Sequence, residues 1–359
     1  MGFTDINEAQ KIRISFSEKA MSIIEEDMNV FGVPSRTAFI NTVITNFHED
    51  AVSSIFTCIE KYRSNLTKLL KDSEPDSSKI DKVIDKLVEQ KKKSLRKQID
   101  QFKANKDHSK LYYINDENVA FLFSDECMES DKNNPDEGES SPYGDRPGLY
   151  IKCLLEEYCS LPFIKREQIF RKDIYDQINI ACENKYILYV TVPFNEKKQT
   201  FCVYPYKIVA DPMSTQDYLV CYSRKKEDKE NDKIIASFSM SRIHISRLSR
   251  SRVFHLTQKE RKEIDDKLAR YSPAYLIGEN EDIHVKLTEN GKQTFLKKLH
   301  SRPVKNEKKS TTDEYVFDCS EFQAYNYFFS FGADAEILSP LSLRQKFADS
   351  YSAASKLYQ

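Results

Sequence analysis

The hydrophobic period of the chain changes near residue 185, and this change restricts the folds open to it. Before it, apolar residues mostly recur every three or four positions, which predicts helices. After it, residues 186–192, 200–204, 217–222 and 234–240 alternate with period two, which predicts short strands. Four or five antiparallel strands this closely spaced favour a small barrel. Because 359 residues exceed what one core usually holds, the sequence predicts an α+β protein of several domains.

Composition excludes several functional classes. With 55 Lys and Arg against 56 Asp and Glu, the net charge of -1 excludes a uniformly basic, histone-like protein. Aromatic residues make up 12% of the chain, which argues against disorder. Only 8 Gly are present and no glycine-rich nucleotide loop motif occurs. Any nucleic-acid site must therefore come from a local concentration of bases.

Cysteine and histidine spacing indicates a reduced, metal-free protein. The 8 Cys are scattered without a C-x-x-C motif, and the 6 His never approach each other or a Cys at ligand spacing. No apolar run is long enough for a membrane span, and the first ten residues are unlike a signal peptide. We therefore expect a cytoplasmic protein with free thiols, no cofactor, no metal and no membrane partner.

The N-terminus combines one strand with two helices. Residues 11–16 alternate polar and apolar side chains, and Ser17 and Ser35 are suitable N-caps for the helices that follow. A lone strand needs a partner, most simply from a second copy of the chain. Residues 1–50 thus resemble the ribbon-helix-helix DNA-binding fold, which implies that Lys11, Arg13 and Ser15 point towards nucleic acid. An ordinary edge strand with solvated bases is the alternative.

The middle of the chain is predicted to be largely helical. Residues 51–128 are assigned to a helical spacer, 129–148 to an acidic flexible loop, and 149–184 to a helical connector. The spacer contains a basic run at 91–97, which is either a phosphate contact or a solvated helix face.

The period-two region carries a family resemblance. Its segments Tyr204-Pro-Tyr-Lys-Ile-Val209, Asp217-Tyr-Leu-Val220 and Phe238-Ser-Met-Ser-Arg-Ile243 resemble the WYL domain, an Sm-like or SH3-like barrel. The chain departs from the family where Asp217 replaces its Trp, and where Ser239 and Ser241 replace an Arg and an Asp. Residues 322–332 and 335–344 are similar to the family's C-terminal α/β extension. The resemblance implies a WYL barrel at 185–256 and the extension at 257–359.

The barrel segment also contains a long stretch of bases without an acid. Between Lys233 and Lys259, both included, six bases occur without an acid, and Arg224 and Lys225 lie just before it. Single-stranded nucleic acid binds to basic grooves with aromatic residues for base stacking. A solvated strand edge is the alternative. The predicted contact residues here are Tyr206, Lys207, Tyr218, Arg224, Lys225, Arg242, His244, Arg247, Arg250 and Arg252.

No catalytic constellation stands out in the sequence. No nucleophile–base pair or carboxylate dyad is recognisable, and Asp211, Asp217 and Glu183 are predicted to be isolated turn or surface residues. We therefore predict that the chain is not an enzyme.

The combination of these parts resembles the WYL-domain accessory proteins of type VI-D CRISPR effectors. That resemblance implies a homodimer that binds single-stranded RNA and enhances RNA cleavage by a type VI RNA-guided nuclease. The alternative is a transcriptional regulator in which the ribbon binds DNA and the WYL domain senses a ligand. Binding to matched single-stranded RNA and duplex DNA separates the two.

Overall fold

The structure is a computed structural model that describes residues 11–71, 77–104, 108–124, 142–144, 146–194, 197–211, 215–229, 232–276 and 281–358. The chain divides into two compact units, Met1–Lys172 and Asp173–Gln359. The helices are α1 (Glu18–Phe31), α2 (Arg36–Phe47), α3 (Ile55–Lys71), α4 (Ser77–Lys103), α5 (Asp116–Leu122), α6 (Pro147–Ser160), α7 (Phe163–Phe170), α8 (Lys172–Asn184), α9 (Gln258–Arg270), α10 (Glu289–Lys297), α11 (Glu321–Phe328) and α12 (Leu341–Lys356). The strands are β1 (Lys11–Phe16), β2 (His108–Tyr113), β3 (Tyr186–Phe194), β4 (Lys197–Asp211), β5 (Gln216–Lys225), β6 (Ile234–Ser239), β7 (His244–Val253), β8 (Glu281–Leu287), β9 (Val304–Lys305), β10 (Glu314–Cys319) and β11 (Ala335–Ser339). The mixed α+β class predicted from the sequence is confirmed.

Strand β1 finds its partner within the same chain. It pairs antiparallel with β2, so that Lys11 lies opposite Tyr113 and Phe16 lies opposite His108. The expectation that a second copy supplies this strand is therefore wrong, and β2 interrupts the segment 51–128 that was predicted as a helical spacer. The alternation predicted for β1 is confirmed, because Ile12, Ile14 and Phe16 are buried while Lys11 and Arg13 are exposed.

The two helices after β1 begin where the sequence predicts. The Ser17 hydroxyl accepts a hydrogen bond from the backbone N–H of Ala20 at 3.1 Å, and Ser35 accepts one from Ala38 at 3.4 Å. These bonds satisfy donors that a helix start otherwise leaves unpaired. Gly32 ends α1 in the left-handed region with φ 70°, which a glycine adopts without steric cost.

Helix α6 lies directly against the ribbon, and one glycine makes this possible. A Cβ atom at Gly148 would lie 2.2 Å from the carbonyl oxygen of Arg13, a backbone atom that cannot move aside cheaply. The absent side chain lets the first turn of α6 approach β1. Of the range 129–148 predicted to be a flexible loop, the structure describes 142–144 and 146–148. There Tyr143 is buried and donates to the Ser53 carbonyl at 2.8 Å, and the rest of the range lies outside the described residues.

A buried ion pair ties α1 to α6 and α7. Asp27 accepts two hydrogen bonds from Arg166, at 2.7 and 3.0 Å, and a third from the Tyr158 hydroxyl at 2.8 Å. The Asp27 side chain is 1% exposed and that of Arg166 is 12% exposed. Charged groups are tolerated at such depth only when they are paired and hydrogen-bonded, and this carboxylate meets both conditions.

The second unit contains two sheets. The first has five antiparallel strands in the order β6-β5-β4-β3-β7, and β4 carries a bulge between Pro205 and Lys207, a usual place for proline in a strand. Helix α8 packs on one face of this sheet through Tyr175 and Ile178, and α9 covers the other face through Ile264. No hydrogen bonds join β6 to β7 among the described residues, so the predicted closed barrel is replaced by an open sheet between helices.

The C-terminal part of this unit is a four-stranded sheet packed with aromatic side chains. Its order is β11-β8-β10-β9, and Phe317, Tyr327 and Phe328 are fully buried against it. The helix, strand and final helix predicted for 322–358 are present as α11, β11 and α12. Across the described residues, no helix has both the length and the apolar character that a bilayer crossing demands.

We predict that Asp27→Asn lowers the local unfolding free energy of α1 by about 3–5 kcal/mol, because it leaves the buried Arg166 charge without its counter-ion. Hydrogen exchange of the α1 backbone amides measures this change. The matched control is Asp50→Asn, which removes the solvent-exposed ion pair with Lys61 at 3.0 Å and should cost less than about 1 kcal/mol. Equal effects of the two variants would contradict the role assigned to the Asp27 pair.

Candidate nucleic-acid interface

A cavity of about 680 Å³ in the second unit brings together three of the predicted contact residues. Tyr218, Lys225 and Arg242 line it, between the β5–β6 side of the five-stranded sheet and helix α11. Its other polar groups are hydroxyls and amides, and none of the described residues that line it is acidic. A concave site with two cations, several hydroxyls and aromatic walls is suited to an anionic ligand with a planar ring.

Ser239 and Ser241 form a hydrogen-bond network at this cavity. The hydroxyl of Ser239 lies 2.7 Å from that of Ser241 and donates to the Gln216 side chain at 3.1 Å. The Tyr218 hydroxyl reaches the same amide oxygen at 3.4 Å. These groups are neutral, which leaves Arg242 and Lys225 as the charges among the described residues that line the cavity.

Arg242 connects the cavity to the basic strand β7. It lies in the short 3₁₀ helix Met240–Arg242, is exposed, and donates to the Pro193 carbonyl at 3.1 Å. His244, Arg247, Arg250 and Arg252 follow it on β7, and all four are exposed. Among the described residues, no carboxylate lies within ion-pair distance of the last three.

Irregular pairing decides how β7 presents these charges. Ile245 pairs with Val190 and Arg247 with Tyr189, so Ser246 is an extra residue in the strand. This bulge places His244 and Arg247 on one face, opposite Ile245 and Leu248, which pack against the core. Regular alternation along the sequence would instead place Arg247 on the face opposite His244, so the bulge changes which charges share a face. Arg250 and Arg252 lie in a second irregularity, between Ser249 and Val253.

Two other predicted contact residues are engaged elsewhere. Lys207 forms an ion pair with Asp265 of α9 at 3.0 Å, and the Tyr206 hydroxyl donates to the same carboxylate at 2.9 Å. Hydrogen bonds from Lys207 and Tyr206 lower the pKa of Asp265. The charge of Lys207 is therefore compensated within the fold, and both residues lie outside the cavity lining.

Arg224 is held by the turn that follows β5. Its guanidinium donates to the carbonyl of Asp228 at 2.7 Å and to those of Lys225 and Lys226 at 3.3 Å. Lys233, which contributes to the basic stretch of the sequence, pairs with Glu260 at 2.7 Å. Less positive charge is therefore available to a ligand around Arg224 and Lys233 than the sequence suggests.

The remaining predicted residues lie on the ribbon of the first unit. Lys11 and Arg13 are exposed on its outer face and Ser15 is half-buried. Strand β2 forms the other half of that face, because Tyr113 lies opposite Lys11 and Leu111 lies opposite Arg13.

Sequence reasoning missed the aromatic side of the cavity. Phe322 begins a helix-spaced aromatic series, and it is 62% exposed and lines the cavity. Its ring centroid lies 6.1 Å from that of Tyr275, another lining residue. Phe322 is the first aromatic of its series and lies in the first turn of α11. This terminal position is the only indication in the sequence that its side chain is exposed.

Asp217 and Asp211 are not surface residues as predicted. Each is 2% exposed. The Tyr175 hydroxyl donates to Asp217 at 2.9 Å, and Ser272 donates to Asp211. Asp217 therefore bonds helix α8 to strand β5.

The cysteines of the described residues are free thiols, namely Cys58, Cys153, Cys159, Cys182, Cys202, Cys221 and Cys319. Burial raises the pKa of Cys153, Cys182 and Cys319 to about 12, so these thiols stay protonated at neutral pH. In the part of the chain that the structure describes, no three His, Cys, Asp or Glu side chains converge as a metal site would need.

Comparison with solved structures finds a likeness that extends over nearly the whole chain. A structure described as "Crystal structure of a CRISPR Cas-related protein" matches with a TM-score of 0.70 at 22% identity, covering 97% of this chain and 93% of that chain. At this identity the likeness concerns the fold. Proteasome accessory factor B/C of Arthrobacter aurescens aligns over 71% of this chain and 39% of its own at 13% identity. Its TM-score of 0.29 is too low to indicate a shared fold. No family model matches the chain, and no curated protein matches it.

We predict that Asp217→Ala destabilises the second unit by about 1–3 kcal/mol, because the buried Tyr175 hydroxyl loses its carboxylate acceptor. Urea unfolding followed by circular dichroism measures the loss. In the double variant Asp217→Ala with Tyr175→Phe, the two effects should be less than additive, since both remove the same bond. Strict additivity would contradict the coupling.

Proposed function

We propose that this chain is a CRISPR-associated accessory protein that binds single-stranded RNA and enhances RNA cleavage by a type VI RNA-guided nuclease. The sequence resemblance to WYL accessory proteins supports the proposal, as does the fold shared over 97% of the chain with a CRISPR Cas-related protein. The observation that carries RNA binding is the cavity, where Arg242 and Lys225 face aromatic and hydroxyl groups without an acid among the described lining residues.

The proposed binding mode follows from the chemistry of these groups. Phosphates contact Arg242 and continue along Arg247, Arg250 and Arg252, while a base enters the cavity beside Tyr218 and Phe322. A single strand suits this site because its bases are free to leave the stack and lie against aromatic rings. The protein then acts without catalysis of its own, by raising the local concentration or accessibility of RNA for the nuclease.

The domain assignments, the cellular compartment and the oligomeric state are part of the same proposal. We assign 185–256 to a WYL domain, 257–359 to its extension, and 1–50 to a ribbon-helix-helix unit whose second strand is supplied internally. The protein is proposed to be a cytoplasmic homodimer. Size-exclusion chromatography with light scattering tests the dimer, since a monomer mass at working concentration would refute it.

A ligand-responsive transcriptional regulator is the second candidate, and the volume of the cavity favours it. About 680 Å³ is enough for a small anionic ligand such as a nucleotide. This candidate predicts that one duplex operator binds more tightly than single-stranded RNA and that a ligand changes its affinity. Filter binding with matched single-stranded RNA, single-stranded DNA and duplex DNA decides between the two candidates.

We predict that Arg242→Glu combined with Arg247→Glu weakens single-stranded RNA binding and flattens its salt dependence. Each lost phosphate contact should reduce the slope of log K against log salt by about 0.7, so the pair should reduce it by about 1.4. Fluorescence anisotropy over a salt series measures both quantities.

The control for this prediction is Lys259→Glu with Lys262→Glu on the exposed face of α9, which changes the net charge equally. It should leave the slope near that of the unmodified protein. Unchanged affinity and slope in the Arg242 and Arg247 variant would move the site elsewhere, with residues 91–97 the next candidate. Target-RNA cleavage by a type VI nuclease, with and without each variant, tests whether stimulation follows RNA binding.

A further inference from the structure

The outer face of the β1–β2 ribbon combines two different kinds of side chain. In the register of the ribbon, Lys11 lies opposite Tyr113 and Arg13 lies opposite Leu111. Strand β1 thus contributes cations to this face and β2 contributes apolar groups. Directly opposed side chains in an antiparallel pair have Cβ atoms about 4.5–5.5 Å apart, so each cation lies beside one apolar side chain.

The cations of this face are available to a ligand. Lys11 and Arg13 are both exposed, and no carboxylate among the described residues lies within ion-pair distance of either. Alternate residues of a strand are about 6.8 Å apart, a distance comparable to the spacing of successive phosphates in an extended nucleic-acid strand. The charge of the face is therefore complementary to a polyanion.

The apolar groups of this face are exposed to solvent. Leu111 is 57% exposed and Tyr113 is 47% exposed, whereas their neighbour Tyr112 is buried and its ring packs edge-on against Phe16 at 5.7 Å. Two such side chains are far less than the area that a stable protein–protein interface needs, about 800 Å² per partner. They are sufficient, however, to support one or two bases.

We propose that this face is a second contact for single-stranded RNA, in which Tyr113 stacks on a base while Lys11 and Arg13 hold the adjacent phosphates. The inference rests on the RNA binding proposed above and adds Tyr113 and Leu111 to it. A duplex is disfavoured as the occupant, because its base faces are stacked on one another and only their edges are accessible. A tyrosine ring gains its full stacking area only on an unpaired base.

The test is anisotropy of the full chain with labelled single-stranded RNA, and with RNA and DNA duplexes of the same sequence, over a salt series. Tyr113→Ala should weaken single-strand binding about 5- to 150-fold, the range expected for one stacked base, without changing the salt slope. Tyr113→Phe keeps the ring and should bind within about twofold of the unmodified protein. Lys11→Gln with Arg13→Gln should reduce the slope by about 1.4, which distinguishes the phosphate contacts from stacking.

Phe123→Ala is the matched control, since Phe123 is a 55% exposed aromatic of the same unit, beside helix α5. It should bind RNA like the unmodified protein. If the unmodified chain binds single-stranded RNA and the Tyr113 and Lys11/Arg13 variants bind equally well, the ribbon inference is overturned while the proposed function stands. If the unmodified chain binds no single-stranded RNA, both fail.

Two further results would overturn the ribbon inference alone. One is a loss of duplex DNA binding in Tyr113→Ala as large as the loss for the single strand, which would make the ribbon a reader of duplex edges. The other is undiminished RNA binding by Tyr113→Ala together with lost stimulation of the nuclease, which would make this face a protein contact. Circular dichroism of each variant confirms that the ribbon has kept its fold.

Discussion

Pairing of β1 with β2 is the interaction on which the first unit depends. An unpaired β1 would leave a row of backbone N–H and C=O groups without partners at the edge of the unit. The pair instead presents Ile12, Ile14 and Phe16 to the core as one apolar surface. Helix α6 can then approach so closely that only glycine fits at position 148. Core and outer face follow from the same register, since a slip by one residue would exchange them.

Elements that are marked by a capping residue or by a regular apolar period could be predicted from the sequence. Elements whose apolar residues lie on both faces could not. The caps at Ser17 and Ser35 and the period-two strands after residue 185 express rules that operate within a few residues. Strand β2 escaped prediction because Leu111 and Tyr113 point outward while Tyr112 points inward. With apolar residues on both faces, its sequence shows no alternation to recognise. The closed barrel was predicted because nothing in the sequence reveals that α8 and α9 cover both faces of the sheet.

The candidate site shows a similar division between composition and geometry. Tyr218, Lys225 and Arg242 were grouped from sequence composition as candidate contacts, and the fold places them around one cavity. Composition could not reveal that Lys207 is neutralised by Asp265, because that partner lies 58 positions away in the chain. Nor could it reveal the bulge at Ser246, which changes the face on which Arg247 lies. The charge sign of a segment is a local property, whereas the charge available to a ligand depends on tertiary contacts.

The internal origin of both ribbon strands has a consequence for symmetry. When two identical chains each donate a strand, the ribbon has a two-fold axis, every outward residue occurs twice, and the matching target is palindromic. In this chain the two strands differ in sequence, with cations on β1 and apolar groups on β2. The ribbon therefore has no dyad, and its two ends are chemically distinct. A surface of this kind has a direction, so an RNA strand bound there as proposed, which has a 5′ and a 3′ end, would lie on it in one preferred polarity.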